Sequence, residues 1–206
     1  KNYTVPPLVP VLLIATNNGL YEINLNIVNE TFNEKEIYSL YNNYKATDIL
    51  VTSNERVFLS YITQHNSNKF SSLILIELVK ENGNYFSKKV FESTPMENIH
   101  GSYHALGGKM VEFDENKILL AIGDGALWGY EKDKFNTNYE SINEFGKTII
   151  VDVDVDEDVD VKKSNFINYS YGHRVPQGLV YSKSYNMIFE TEHGPEAGDE
   201  INRILS

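Results

Sequence analysis

Short runs of β-branched and aromatic residues alternate with clusters of Asn, Asp, Gly and Ser along almost the whole chain. Helical periodicity is nearly absent, so the pattern predicts an all-β protein. Residues 12–16 and 20–23 form two apolar runs on either side of Asn17, Asn18 and Gly19. Because an Asn-Gly pair between two such runs is a strong turn signal, this segment is predicted to be a hairpin.

Three later segments share one form, in which a short strand, a polar turn and an apolar strand follow each other. They lie at residues 51–60, 111–120 and 180–189. Further strands are expected in the intervals, at residues 72–79, 85–91 and 148–155. Repeated hairpins with outer strands are typical of β-propeller blades, whose radial repetition protects the sheet edges. The pattern therefore predicts about four blades or part-blades in a single partial β-propeller domain over residues 1–206.

One strictly alternating segment is unusually acidic. Residues 151–161 read VDVDVDEDVDV, which places Val on one face of a strand and carboxylates on the other. A strand with a solvated acidic face is the favoured interpretation. A surface calcium site is the alternative, because carboxylates suit that hard cation.

Bulk properties narrow the choice of partners. With 206 residues and 41% hydrophobic content the chain can bury a sizeable core, and its net charge of −11 argues against nucleic acid or an anionic membrane surface as the main partner. The absence of cysteine excludes disulfides and thiolate chemistry. The longest apolar run, residues 8–15, contains Pro10 and is far below the ~20 residues of a spanning helix, so no membrane span is expected.

Polar residues flank the predicted hairpin at residues 180–189 in the sequence, before its first strand and after its second strand. In an antiparallel hairpin, residues before the first strand and after the second emerge at the same end. Arg174 and Gln177 are therefore expected beside Glu192, His193 and the pair Gly194-Pro195. Such a mixture of a guanidinium, an amide, an imidazole and carboxylates indicates a site rather than a core.

The preceding predicted blade contributes to the same end. His104 comes before its first strand and Asp124 follows its second, as Arg174 and Glu192 do in the next blade. Blade geometry thus puts these side chains on one rim near the central channel, a usual place for a ligand pocket.

Each residue has a chemical and a structural interpretation. His104 is a candidate general base because imidazole titrates near neutral pH, although an isolated His is more often structural. The glycines that follow it, Gly107 and Gly108, would let the backbone pass close to a ligand. Arg174 offers a planar fork of donors for a carboxylate or quinone oxygen, or it pairs with an acid on an outer loop.

The remaining candidates also have both a chemical and a structural interpretation. Gln177 can bridge a ligand and the backbone or only tie its loop down. Gly194 and Pro195 could bind calcium through their carbonyl oxygens, or form a blade-corner turn. Asp199 and Glu200 are outer acceptors for such a site or an exposed loop pair.

These motifs carry a family resemblance. GHRVPQGL at residues 172–179 and TEHGPEAGDEIN at residues 191–202 resemble the signature of the glucose/sorbosone dehydrogenase family, the soluble aldose sugar dehydrogenases that use pyrroloquinoline quinone (PQQ). Residues 104–109 and 122–125 are similar to that family's catalytic-histidine segment. The resemblance implies a six-bladed propeller whose closing blades and further cofactor contacts lie beyond Ser206.

The resemblance also implies an oxidoreductase chemistry. The residue matching His104 takes the proton of the anomeric hydroxyl of a sugar while hydride passes to the quinone, and electrons leave to an external acceptor. The residues matching Arg174, Gln177 and His193 bind PQQ, and the carbonyl oxygens of Gly194 and Pro195 bind the catalytic calcium. A periplasmic or secreted location follows from the family.

Departures from the family pattern keep a second hypothesis open. Val175 stands where the family often has Asn after its GHR, Lys109 stands where an Arg is common, and residues 43–50 lack an expected Gln-Gly-Gly-Leu segment. The alternative function is a non-catalytic propeller of the same superfamily that binds a protein or glycan. A calcium-dependent lactonase on a similar propeller finds no ligand set here.

Overall fold

Antiparallel β-strands make up nearly all of the structure, a computed structural model. It describes residues 11–26, 31–40, 44–98, 105–125, 143–154, 165–194 and 198–205. Within these ranges there are fifteen strands and no α-helix, and therefore no helix that could cross a membrane. The strands are β1 (Val11–Ala15), β2 (Gly19–Asn26), β3 (Thr31–Ser39), β4 (Tyr44–Val51), β5 (Val57–His65), β6 (Phe70–Glu81), β7 (Asn84–Glu92), β8 (Met96–Glu97), β9 (Gly107–Asp114), β10 (Lys117–Ile122), β11 (Lys147–Asp152), β12 (Phe166–Tyr171), β13 (Pro176–Ser182), β14 (Met187–Glu192) and β15 (Glu200–Ile204).

The strands form four sheets, each a meander of consecutive antiparallel neighbours. The first sheet contains β1 to β3, the second β4 to β7 with β8 paired to β6, the third β9 to β12, and the fourth β13 to β15. The four predicted hairpins are confirmed as the pairs β1–β2, β4–β5, β9–β10 and β13–β14. Sequence reasoning missed β3, β12 and β15, the last strands of the first, third and fourth sheets, and the short strand β8.

The leading strands of the sheets lie side by side. Strand β9 packs between β4 and β13, and β1 contacts β4. Side chains of the second sheet also bond to β9. Oδ2 of Asp48 in β4 accepts from the backbone N–H of Met110 at 2.9 Å, and Ser60 Oγ in β5 donates to the carbonyl of Gly108 at 2.7 Å. The sheets are therefore arranged as successive blades, with their inner strands next to one another.

Three apolar clusters fill the spaces between successive sheets. Because alternate side chains of a strand point to opposite faces, one strand can serve two clusters. Phe58 of β5 packs toward the third sheet and its neighbour Leu59 toward the first; Leu120 of β10 packs toward the second sheet and Leu119 toward the fourth. The second and third sheets are thus covered on both faces, which explains the continuous apolar runs of their central strands.

An ion-pair network joins the second and third sheets. Arg56 Nε lies 2.7 Å from Oε1 of Glu77, its Nη1 lies 3.0 Å from Oδ1 of Asp154, and its guanidinium carbon lies 5.2 Å from the centroid of the Phe58 ring. The hydrogen bond with Glu77 outweighs the effect of burial and raises the pKa of Arg56.

The acidic alternation begins as predicted. Val151 and Val153 are buried while Asp152 and Asp154 are exposed, so the two residue types occupy opposite faces. Strand β11 ends at Asp152 rather than continuing to residue 155, and residues 155–164 lie outside the described ranges. The calcium alternative for this segment stays a hypothesis.

Gly107 and Gly108 have a different role from the one that sequence reasoning assigned to them. Their φ angles are 68° and 101°, and they pack against the neighbouring sheets rather than only leaving room for a ligand. A Cβ on Gly107 would lie 2.7 Å from Cγ of Pro176, and one on Gly108 would clash with Thr47. The glycines therefore allow β9 to fit between β4 and β13.

We expect Gly108→Ala to lower the free energy of unfolding by about 2–5 kcal/mol, because strain at positive φ adds to overpacking against Thr47. Gly83→Ala is the matched control: its φ is 80° but no heavy atom lies within 4 Å of its Cβ position, so only about 1 kcal/mol should be lost. Urea unfolding measures both values. Equal losses in the two variants would contradict the packing role.

Candidate functional site

The two signature segments meet at the end of the β13–β14 hairpin. The backbone N–H of His193 donates to the carbonyl of Val175 at 3.0 Å, and Nη1 of Arg174 donates to the carbonyl of His193 at 3.2 Å. Gln177 lies on the same edge, where it lines a cleft of about 380 Å³. The cleft is lined by Gln177, Thr191, Glu192, His193, Asp199, Glu200 and Ile201. The structure thus brings together the three residues predicted to bind the cofactor.

Loops of the third sheet reach the same place. Asp124 donates its backbone N–H to the carbonyl of Arg174 at 2.9 Å, and Gly123 donates to Leu106 at 3.1 Å. Gly123 also lies so close to the carbonyls of Ala105 and Arg174 that it has no room for a Cβ. Two loops of the third sheet and the loop before β13 are therefore in direct contact. His104 itself lies outside the described residues, one position before Ala105.

The turn after β14 is held by one carboxylate. Oδ1 of Asp199 accepts from the backbone N–H of Gly194 at 3.1 Å and lies 3.2 Å from Nδ1 of His193. These bonds, the one from His193 first, lower the pKa of Asp199. Pro195 lies outside the described residues, so the predicted pair of carbonyl ligands is described only at Gly194. Asp199 is the acceptor that orders this turn.

A buried cluster that sequence reasoning missed lies directly behind the signature loop. Nδ1 of His173 lies 2.8 Å from Oε1 of Glu192 and 3.1 Å from Oε1 of Glu190, and all three residues are buried. Burial disfavours the imidazolium, but the neighbouring carboxylates of Glu190 and Glu192 outweigh it and raise the pKa of His173 to about 9. The period-two pattern of β14 was an available signal, because it puts both Glu residues on the face of buried Ile188.

Glu192, left without a role by sequence reasoning, connects three segments. Its Oε2 accepts from the backbone N–H of Arg174 at 2.6 Å, and its Oε1 accepts from Nδ2 of Asn202 at 2.8 Å as well as facing His173. Burial alone would raise the pKa of Glu192, but the bonds from His173, Arg174 and Asn202 lower it. The carboxylate therefore fixes the loop before β13 against β14 and β15.

Arg174 is suited to an anionic ligand. Its Nε is buried and has no hydrogen-bond partner, and its guanidinium forms no ion pair with any carboxylate of the described residues. A guanidinium in this state can accept the carboxylates or carbonyl oxygens of a quinone. The exposed carboxylates that line the adjacent cleft, those of Asp199 and Glu200, suit a hard cation. The donor set at this edge of the hairpin thus fits PQQ and calcium.

We expect Glu192→Ala to lower the free energy of unfolding by about 3–5 kcal/mol, because it leaves buried His173 without its closest partner. Glu200→Ala is the control, since Glu200 pairs with Glu192 in the β14–β15 register but is exposed and should lose at most about 0.5 kcal/mol. Guanidinium unfolding distinguishes the two. A small loss in both variants would show that Glu192 does not anchor the loop.

Comparison with models of known protein families identifies the family. The family model described as Glucose / Sorbosone dehydrogenase matches residues 46–206. An uncharacterized protein of Synechocystis sp. is 30% identical over 112 residues, which are 50% of this chain and 27% of that protein.

Solved structures show the same fold. The soluble aldose sugar dehydrogenase of Escherichia coli, in its apo form, is 19% identical with a TM-score of 0.64, over 94% of this chain and 60% of that one. A glucose dehydrogenase is 22% identical with a TM-score of 0.68, over 97% of this chain and 63% of that one. The likeness confirms the predicted all-β propeller class. The chain spans less than two thirds of these relatives.

Proposed function

The chain belongs to the glucose/sorbosone dehydrogenase family, and from this premise we propose that it forms part of a quinoprotein sugar dehydrogenase. The reaction is oxidation of an aldose at its anomeric carbon, with PQQ and calcium as cofactors. An external acceptor in the periplasm or outside the cell takes the electrons. The observation that carries the proposal is the guanidinium of Arg174, which lies at the meeting point of both signature segments without a carboxylate partner among the described residues.

Each predicted residue has a defined task in this proposal. Arg174 binds carboxylate or carbonyl oxygens of the quinone through its fork of donors, and Gln177 and His193 supply further polar contacts from the edges of the same cleft. The carbonyl oxygens of Gly194 and Pro195 hold the calcium ion. When bound, the quinone supplies an acceptor for two electrons from the sugar.

His104 is proposed as the general base that removes the proton of the anomeric hydroxyl. Support comes from its neighbours in the chain: Ala105 and Leu106 contact Gly123, and the next residue, Asp124, bonds to Arg174. A base in this segment belongs to the same set of contacting loops as the proposed cofactor ligands. Neutral imidazole accepts such a proton near neutral pH.

A non-catalytic, ligand-binding propeller is the second candidate, favoured by one observation. Val175 is buried between Arg174 and Pro176, so this position of the signature adds no polar side-chain atom to the site. Binding of a protein or glycan at the rim requires neither the quinone nor His104. Cofactor binding by the full-length protein therefore separates the two functions.

We expect Arg174→Gln, in the full-length protein reconstituted with calcium, to bind PQQ about 10–100-fold more weakly, because a charge-assisted hydrogen bond is lost. Fluorescence titration with PQQ measures the affinity. Arg203→Gln removes an exposed guanidinium from β15 and should leave the affinity unchanged. Failure of the unmodified full-length protein to bind PQQ in the presence of calcium would exclude the quinoprotein function.

We expect His104→Ala to reduce aldose-dependent dye reduction on the order of 10²–10⁴-fold, since general-base catalysis contributes about this much. PQQ affinity should not change, because the variant removes the base and none of the proposed cofactor ligands. Steady-state assays over a panel of aldoses, together with the same titration, separate turnover from binding. Full activity in the variant would assign the base to another residue.

A further inference from the structure

The buried cluster of His173, Glu190 and Glu192 has an arrangement that the proposed dehydrogenase reaction does not use. In each of the three side chains, one polar atom forms a hydrogen bond with a neutral group outside the cluster. Ser170 Oγ lies 2.7 Å from Nε2 of His173, and Thr148 Oγ1 donates to Oε2 of Glu190 at 2.7 Å. The backbone N–H of Arg174 fixes Oε2 of Glu192 in the same way.

The other three polar atoms of the cluster face one another, and one of them, Oε1 of Glu192, also accepts from Nδ2 of Asn202 at 2.8 Å. They are Nδ1 of His173 and the Oε1 atoms of Glu190 and Glu192, and all lie within 4.8 Å of each other. Metal-binding histidines and carboxylates are oriented in this manner, with the atom that does not bind the metal held by an outer hydrogen bond. In the neutral tautomer in which Nε2 donates to Ser170, Nδ1 carries a lone pair that a cation can bind.

One atom of the cluster is unsatisfied within the described structure. Oε1 of Glu190 is buried and accepts no hydrogen bond, although it lies 3.1 Å from Nδ1 of His173. The single proton that Nδ1 can carry is directed at Glu192, 2.8 Å away. Glu190 is 1% exposed, and a buried acceptor without a donor is costly.

The net charge of the cluster also favours a bound cation. The two buried carboxylates form no ion pair with any Lys or Arg of the described residues. A protonated His173 balances only one of them and leaves a net negative charge in the interior, which is unfavourable. A divalent cation beside a neutral imidazole would balance both.

We propose that His173, Glu190 and Glu192 bind a divalent transition-metal cation of the Zn²⁺ type, at a site separate from the calcium and quinone. One imidazole nitrogen and two carboxylate oxygens form a ligand set that Zn²⁺ uses, with bonds of about 2.0–2.2 Å. Tetrahedral bonds of that length separate ligand atoms by about 3.4 Å, so Nδ1 of His173 would move away from Oε1 of Glu192 and of Glu190, now 2.8 and 3.1 Å distant, by about 0.6 and 0.3 Å.

The ligand type and access define which cation can bind. Calcium takes oxygen ligands, so the imidazole nitrogen favours a transition metal over calcium. His173 and Glu192 line a cleft of about 440 Å³ between β12 and β15, which gives an ion a route from solvent. A bound cation would hold β14 to the loop that carries Arg174.

Calorimetric titration of tag-free, metal-stripped full-length protein with Zn²⁺, in the presence of calcium, tests the proposal. We expect one Zn²⁺ per chain and at least a tenfold loss of affinity in Glu190→Gln, which keeps the shape but removes a ligand charge. Glu77→Gln is the matched control, because Glu77 is also a buried strand carboxylate in an ion pair and lies outside the cluster. Its affinity for Zn²⁺ should match that of the unmodified protein.

Two further measurements keep the test decisive if Glu190→Gln does not fold. Titration of the unmodified protein with Co²⁺ should give visible absorption bands of a low-symmetry site with nitrogen and oxygen ligands, and Zn²⁺ should abolish them. The His193→Ala variant tests whether Zn²⁺ binds instead at the exposed pair of His193 and Asp199. Absence of stoichiometric Zn²⁺ binding, retention of full affinity in Glu190→Gln, or loss of binding in His193→Ala would each overturn the proposal. PQQ titration of the same samples reports separately on the proposed dehydrogenase function.

Discussion

The carboxylate of Glu192 is the contact on which the geometry of the signature depends. A buried carboxylate must be satisfied by donors, and Glu192 takes its donors from His173 and Arg174 of the loop before β13 and from Asn202 of β15. Because these donors belong to two separate stretches of the chain, satisfying this carboxylate fixes both stretches against β14. The position of the Arg174 guanidinium at the cleft is a consequence, since the backbone N–H of the same residue is one of the donors.

Packing between sheets supplies the frame for this contact. Strand β9 fits between β4 and β13 only because Gly107 and Gly108 lack side chains, and the loops of the third sheet thereby come within hydrogen-bonding distance of the loop before β13. The clusters on both faces of the middle sheets make this frame apolar and continuous. The residues proposed to bind the cofactor lie at the ends of the strands, where loops from two successive sheets converge.

Much of this architecture could be predicted from the sequence because its signals are local. Turn residues between apolar runs located the hairpins, and the ends of those hairpins located Arg174, Gln177 and His193. Strands β3 and β12 were missed because they are outer strands with largely exposed side chains: Ile167 of β12 is 64% exposed and gives no clear alternation. The cluster around His173 was missed because it depends on the register between distant segments, and a Glu in a strand is ordinarily read as facing solvent.

The side-chain bonds from the second sheet to β9 also affect how the borders of these two sheets can pair. Asp48 of β4 accepts from a backbone N–H of β9 and Ser60 of β5 donates to one of its carbonyls, so the border is partly satisfied by side chains instead of a backbone ladder. A foreign strand would therefore find fewer unpaired backbone groups on the facing edges of these two sheets.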